Sequence, residues 1–259
     1  MTHITCSFPS YSLGTTVEFH VILPRKFSIT LNRDNEHELP DNGYPILYLL
    51  HGACNSASDW LLHSQVAALA DEYQIALLIP SVGNSFYLDD VNGANTFTYI
   101  TSELLDYARA TFPLSKRRED TCLCGYSMGA YGAVRAGMLR ADLFAKVVSI
   151  SGALDIRLAA RYLRACGYLL PKELSDIKGL SNTDYDLFYC LQQADLQADM
   201  YPEFYLTCGD QDIFSVCTTK FHEALLEKGI HTNCMIHSGA HDWDYWSWAV
   251  MNATTWMFE

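Results

Sequence analysis

Charge is scarce in this chain of 259 residues. Asp, Glu, Lys and Arg make up 18% of it, against about a quarter in an average soluble domain. Positive charge is scarcer still, with 17 Lys and Arg set against 30 Asp and Glu, a formal net charge of −13. Nucleic-acid affinity rests on neutralising phosphates, so this balance excludes DNA or RNA as the main partner. Long apolar runs are missing as well. No stretch approaches the ~18 residues that would read as a membrane span, and no membrane partner is expected. The first residues, Met1–Cys6, carry neither a basic nor an apolar leader region, so no secretory signal is expected. Repeats, low-complexity tracts and Pro/Gly/Ser linkers are also lacking. The reading is a single domain over residues 1–259, long enough to bury roughly 70–75% of its unfolded surface without disulfide or metal staples.

Cysteine, by contrast, is plentiful at nine residues, but the number is odd and the spacing is not that of a disulfide framework. Cys122 and Cys124 sit two apart, which on a strand turns both to one face. Without His or Cys partners nearby they read as apolar packing and not as half of a metal site. No metal and no cofactor is expected. Thiols without an export signal fit a reducing cytoplasm.

The remaining pattern alternates. Thr15–Leu23 and Pro45–Leu50 read as strands, with a polar, Pro/Gly-bounded exposed loop over Asn32–Gly43 between them. Further short apolar runs follow at Ile75–Pro80, Thr121–Gly125, Lys146–Ser151, Phe204–Cys208 and Thr232–His237. Helical periods separate them at Trp60–Glu72, Thr98–Phe112, Met128–Leu139, Phe214–Lys228 and Tyr245–Phe258. Apolar strands alternating with amphipathic helices predict an α/β fold, a mostly parallel sheet covered on both faces. Leu154–Tyr201 is too long for one crossover helix and is rich in tyrosine. It reads as an insertion over the C-terminal edge of the sheet, against the plainer reading of peripheral helices away from any site.

The strongest local signal is Gly125-Tyr126-Ser127-Met128-Gly129, directly after a strand and opening a helix. Small neighbours let a serine hydroxyl stand on a tight strand-to-helix turn, and the helix start favours negative charge beside it. A Gly-rich turn whose serine merely caps the helix is the plain alternative. A nucleophilic serine needs a base, and the base an orienting acid. Of nine histidines, His241 follows the last strand in the small-residue loop Ser238-Gly239-Ala240-His241-Asp242-Trp243, at the sheet edge where the Ser127 turn also lies. Its plain alternative is a role in starting the final helix. Asp210 and Asp212, after the preceding strand, and Asp155, after Ser151, are candidate acids, and each also suits a helix cap. The oxyanion of acyl transfer is best held by two backbone N–H groups. Met128 would supply one and Ala53, in the loop Leu50-His51-Gly52-Ala53, the other. His51 reads as shaping that loop, not as a second base.

With these pieces assembled, the sequence resembles the esterase D-like α/β-hydrolases, close to bacterial tributyrin (acetyl) esterases and related to S-formylglutathione hydrolases and feruloyl esterases. The matching stretches are Tyr48–Gly52, Gly125–Gly132, Ser149–Asp155, Cys208–Asp212 and Gly239–Trp243. The resemblance implies an α/β-hydrolase fold with Ser127 as nucleophile, His241 as base and Asp212, the second aspartate of its motif, as acid. It gives Asp155 no triad role. One departure is the Ala53-Cys54 pair, where relatives often carry Met or Gly-Gly, and which places a thiol in the oxyanion loop. The implied activity is a serine carboxylesterase acting on small acetyl or butyryl esters. A thioesterase of the S-formylglutathione type is its nearest rival, and an inactive hydrolase-fold binding protein is the rival of another class. His51, Trp243, Tyr185 and Tyr189 are the expected pocket wall, while Trp246 reads as an anchor of the last helix in the core. A homo-oligomer is expected from the family and from the low charge.

Overall fold

The computed structural model describes residues 1–25, 39–89, 94–170 and 172–259. Most of the loop expected over Asn32–Gly43 lies outside the described residues; its end turns back at Gly43 (φ +80°), whose N–H donates to Pro40 O at 2.8 Å.

In chain order the elements are β1 (Thr2–Ser10), β2 (Thr15–Leu23), β3 (Ile46–Leu50), α1 (Ala57–His63), α2 (Val66–Tyr73), β4 (Ala76–Pro80), α3 (Thr96–Thr98), α4 (Leu104–Thr111), β5 (Thr121–Tyr126), α5 (Met128–Leu139), β6 (Lys146–Ile150), α6 (Ile156–Ala165), α7 (Leu187–Gln192), β7 (Glu203–Gly209), α8 (Ser215–Glu227), β8 (Thr232–His237) and α9 (Trp243–Phe258). The strands form one sheet in the order β1-β2-β4-β3-β5-β6-β7-β8. β1, β2 and β4 pair antiparallel, and every pairing from β4 across to β8 is parallel. The α/β-hydrolase expectation is met by this mostly parallel sheet with helices on both faces.

Period-two alternation divides the core. Ile46, Tyr48 and Leu50 of β3 pack with α4, α5 and α8, while Leu47 and Leu49 pack with α1, α2 and α9. Cys122 and Cys124 fall together on the second face, where burial pushes the Cys122 thiol up to about 12 and raises Cys124 as well. All nine cysteines are free thiols.

Three elements depart from expectation. β1 is an additional edge strand whose inward residues Ile4, Cys6 and Phe8 alternate with polar ones. The helix expected over Trp60–Glu72 is two helices broken at Ser64-Gln65, where the Ser64 hydroxyl turns back to donate to Trp60 O. The helix expected from Thr98 begins at Thr96 and widens into a π-helical turn over Tyr99–Glu103 before α4.

Between β6 and β7 the chain forms α6 and α7, capped by the carboxylates of Asp155 and Asp186. Arg135, on α5 and only 4% exposed, ties the stretch before α7 to that helix. Its guanidinium donates to the carbonyl of Asp184 at 3.0 Å and to its carboxylate at 2.7 Å, and stacks on Phe97 at 4.4 Å. Tyr131 OH donates to Tyr185 O at 2.8 Å beside it.

Candidate active site

β3, β5, β7 and β8 each end at the same edge of the sheet, and each hands its following loop to one cavity. Ser127 joins β5 to α5 at φ +54° and ψ −117°, a conformation that non-glycine residues adopt only when the surroundings impose it. The imposing contacts are backbone to backbone. A Cβ on Gly125 would lie 2.3 Å from Gly129 C and O, and a Cβ on Gly129 2.3 Å from Leu50 O. The absence of side chains at these two positions lets the serine turn press directly against the end of β3. The first bond of α5 runs from Tyr131 N–H to Ser127 O, so the Met128 N–H sits at the unpaired helix start.

His241 Nδ1 lies 2.8 Å from Asp212 Oδ2, and its Nε2 lies 3.0 Å from Ser127 Oγ. With Nδ1 protonated toward the carboxylate, Nε2 accepts from the serine hydroxyl. Asp212 is buried, and its other oxygen accepts the Phe214 N–H at 2.9 Å. Burial alone would raise its carboxyl. The hydrogen bond and charge of His241, together with the Phe214 amide, outweigh that and hold it below the ordinary carboxylate range. The other candidate acids are engaged elsewhere. Asp210 is exposed and accepts the Gly239 N–H at 3.1 Å, while Asp155 caps α6.

The loop after β3 is fixed from three sides. His51, fully buried, accepts the Val82 N–H on Nε2 at 3.0 Å, and its Nδ1 lies 2.8 Å from Gly52 O. This requires the neutral Nδ1–H form, and burial lowers the imidazole accordingly. Tyr87 OH donates to His51 O at 2.9 Å, and Asn84 Oδ1 accepts the Cys54 N–H at 2.6 Å. Ala53 and Met128 line, together with Ser127 and His241, a single cavity of ≈ 270 Å³.

That cavity is walled by Phe86, Tyr126, Ala153, Phe214 and Trp246 from the sheet side, and by Ala159, Tyr162, Leu163 and Tyr168 from α6 and the residues after it. The four residues expected as its wall lie elsewhere. His51 sits beneath the loop, Trp243 packs between Trp60, Tyr126 and Trp246, Tyr185 lies against Arg135, and Tyr189 lines a separate groove near Met138. For Tyr185 and Tyr189 the Arg135–Asp184 contact and the Tyr131–Tyr185 hydrogen bond hold this part of the chain against α5, while α6 lies over the site. Trp246 is 7% exposed and serves the core and the cavity at once.

A serine raised on a strand–helix elbow, at the edge of this sheet and within reach of a His–Asp pair, defines an α/β-hydrolase. Residues 10–257 match the family described as "Putative esterase", and the chain belongs to that family of carboxylic ester hydrolases. It is 31% identical over 218 residues to an acetyl esterase of Caldicellulosiruptor saccharolyticus, with 82% of each chain covered. Two solved structures from Staphylococcus aureus superpose over 100% of this chain. One is the apoenzyme of the S-formylglutathione hydrolase FrmB, 25% identical with a TM-score of 0.84 and 99% of its chain covered. The other is substrate-bound FphF, a fluorophosphonate-binding serine hydrolase, 26% identical with a TM-score of 0.83 and 98% covered.

Proposed function

We propose that this esterase hydrolyses short-chain acyl esters, of the acetyl or butyryl kind, through Ser127, His241 and Asp212. The observation that carries the reading is the hydrogen-bonded series Ser127–His241–Asp212, at 3.0 and 2.8 Å, opening on one small cavity. At ≈ 270 Å³ the cavity lies just under the usual range of small-molecule sites, about 300–1,000 Å³, which suits a short acyl group. Similarity to an acetyl esterase supports the same choice.

In the proposed cycle His241 Nε2 takes the Ser127 proton as Oγ attacks the ester carbonyl. The N–H groups of Ala53 and Met128 hold the tetrahedral oxyanion, each worth roughly 3 kcal/mol. The alcohol leaves with the proton from His241, and water then attacks the acyl-enzyme by the same route. Asp212 keeps Nδ1 protonated and stabilises the imidazolium. Residues 154–201 act as a cap within one α/β-hydrolase domain, with Tyr162, Leu163 and Tyr168 bounding the substrate. Nine free thiols favour a reducing compartment such as the cytoplasm.

A thioester substrate is the second reading, favoured by the likeness to the S-formylglutathione hydrolase. Rates on p-nitrophenyl acetate, butyrate, octanoate and palmitate test the chain length, and kcat/KM should fall steeply beyond butyrate. Preference for octanoate or palmitate would refute the short-acyl assignment. A large excess of kcat/KM for S-formylglutathione over phenyl acetate would move the assignment to the thioesterase.

A further inference from the structure

The two edges of the sheet are built differently. β1 carries Pro9, which offers no N–H, and outward polar residues. β8 has the sequence Thr-Asn-Cys-Met-Ile-His, with no Asp, Glu, Lys or Pro in a chain of net charge −13. It is paired with β7 along all of its residues, from Phe204↔Thr232 to Gly209↔His237. Among the described residues no strand pairs with its outer side, and Met235 is 39% and Ile236 41% exposed. These are the features that natural edge strands avoid when they remain unpaired.

The hydrogen-bond phase selects the partner. His231 O accepts from Phe204 on β7, and His237 O from Asp210 just after it. The N–H and C=O of a strand residue point the same way and alternate along the chain, so Thr232, Cys234 and Ile236 direct theirs outward. Side chains divide as cleanly. Met235 and His237 face α9, where Tyr205 OH lies 3.6 Å from Met235 Sδ and His237 stacks on Trp248. Thr232 and Cys234 face α8, where His222 meets Thr232.

We propose that β8 is the interface with a second copy of this chain, the two β8 strands pairing antiparallel about a two-fold axis at Cys234. That register sets Cys234 against Cys234 and Thr232 against Ile236 as hydrogen-bonded pairs, so that every outward N–H and C=O is used. It also sets Asn233 against Met235 on the α9 face, joining both sheets into one. Charge supports the antiparallel sense. The C-terminal end of β8 is flanked by exposed Asp210, Asp242 and Asp244, and the N-terminal end by Glu227, Lys228 and His231. Antiparallel pairing places the acidic end beside the nearly neutral one, whereas parallel pairing would stack the acidic ends together.

Sedimentation over the micromolar range tests the proposal, together with oxidative cross-linking at mildly alkaline pH, since burial raises the Cys234 thiol. Hydrogen-bonded antiparallel partners lie about 5.5 Å apart at Cα, within disulfide reach. A dimer is expected that forms a Cys234–Cys234 cross-link, lost in Cys234→Ser. Ile236→Lys and, independently, Met235→Lys should weaken it by roughly tenfold or more and leave kcat/KM on p-nitrophenyl acetate unchanged. A monomer throughout that range, or a dimer that both lysine variants leave intact, would overturn the interface.

Discussion

Asp212 shows how one residue can satisfy two sequence readings at once. Its Oδ1 accepts the Phe214 N–H just ahead of α8, as a helix cap would, and its Oδ2 meets His241. Nothing in Cys208-Gly209-Asp210-Gln211-Asp212 alone separates the two aspartates; the resemblance to esterases favours Asp212, and it is the Asp212 carboxylate that lies 2.8 Å from His241 Nδ1. Asp210 is two residues closer to the strand and turns to the Gly239 N–H, holding the loop that carries the histidine. Asp212→Asn should therefore lower kcat on p-nitrophenyl acetate by about 10³–10⁴-fold, through loss of the imidazolium's partner and its tautomer. Asp210→Asn should cost far less. The reverse order in steady-state kinetics would reassign the acid. The cavity wall was harder to read. Tyr162, Tyr168, Tyr185 and Tyr189 are indistinguishable as tyrosines in one segment, and the long-range contacts of Arg135 with Asp184 and of Tyr131 with Tyr185, which have no local sequence signature, hold the later two against α5 and away from the site.

At the scale of elements, the parallel strands were visible because burial on both faces leaves short, nearly unbroken apolar runs. β5, β6 and β7 fall within one or two residues of their expected bounds. β1 was missed for the converse reason. It is half exposed, so Ile4, Cys6 and Phe8 are diluted by polar neighbours, and only their alternation marks it. The break between α1 and α2 is likewise a matter of two polar residues. The elbow is where strand, turn and helix depend on one another most closely. Because Gly129 touches Leu50 O, a methyl group there must separate α5 from β3 and move the Met128 N–H away from Ala53. Gly129→Ala should lower stability by about 1–3 kcal/mol and reduce kcat more than it raises KM. Denaturant melts and kinetics measured on the same preparation check both. Unchanged kcat would show that the contact between elbow and loop has no part in catalysis.

For the whole molecule, the sparse charge that excluded a polyanionic partner leaves two uncharged features at the surface: a small aromatic-lined cavity beside Ser127, and the bare edge of β8. Neither adjoins the other in purpose. The cavity is assembled from the loops that follow β3, β4, β5, β6, β7 and β8, which converge because these strands run parallel and end at one edge of the sheet. On the proposed mechanism, this convergence makes Ser127 the nucleophile of a short-chain esterase. The most direct measurement compares wild type and Ser127→Ala for p-nitrophenyl acetate hydrolysis and for labelling by a fluorophosphonate, with the labelled peptide identified by mass spectrometry. Wild type should be active and labelled at Ser127. The variant should fold, resist labelling and lose at least about 10³-fold in kcat/KM. A wild-type protein that is neither active nor labelled, or a variant that keeps its activity, would contradict the account.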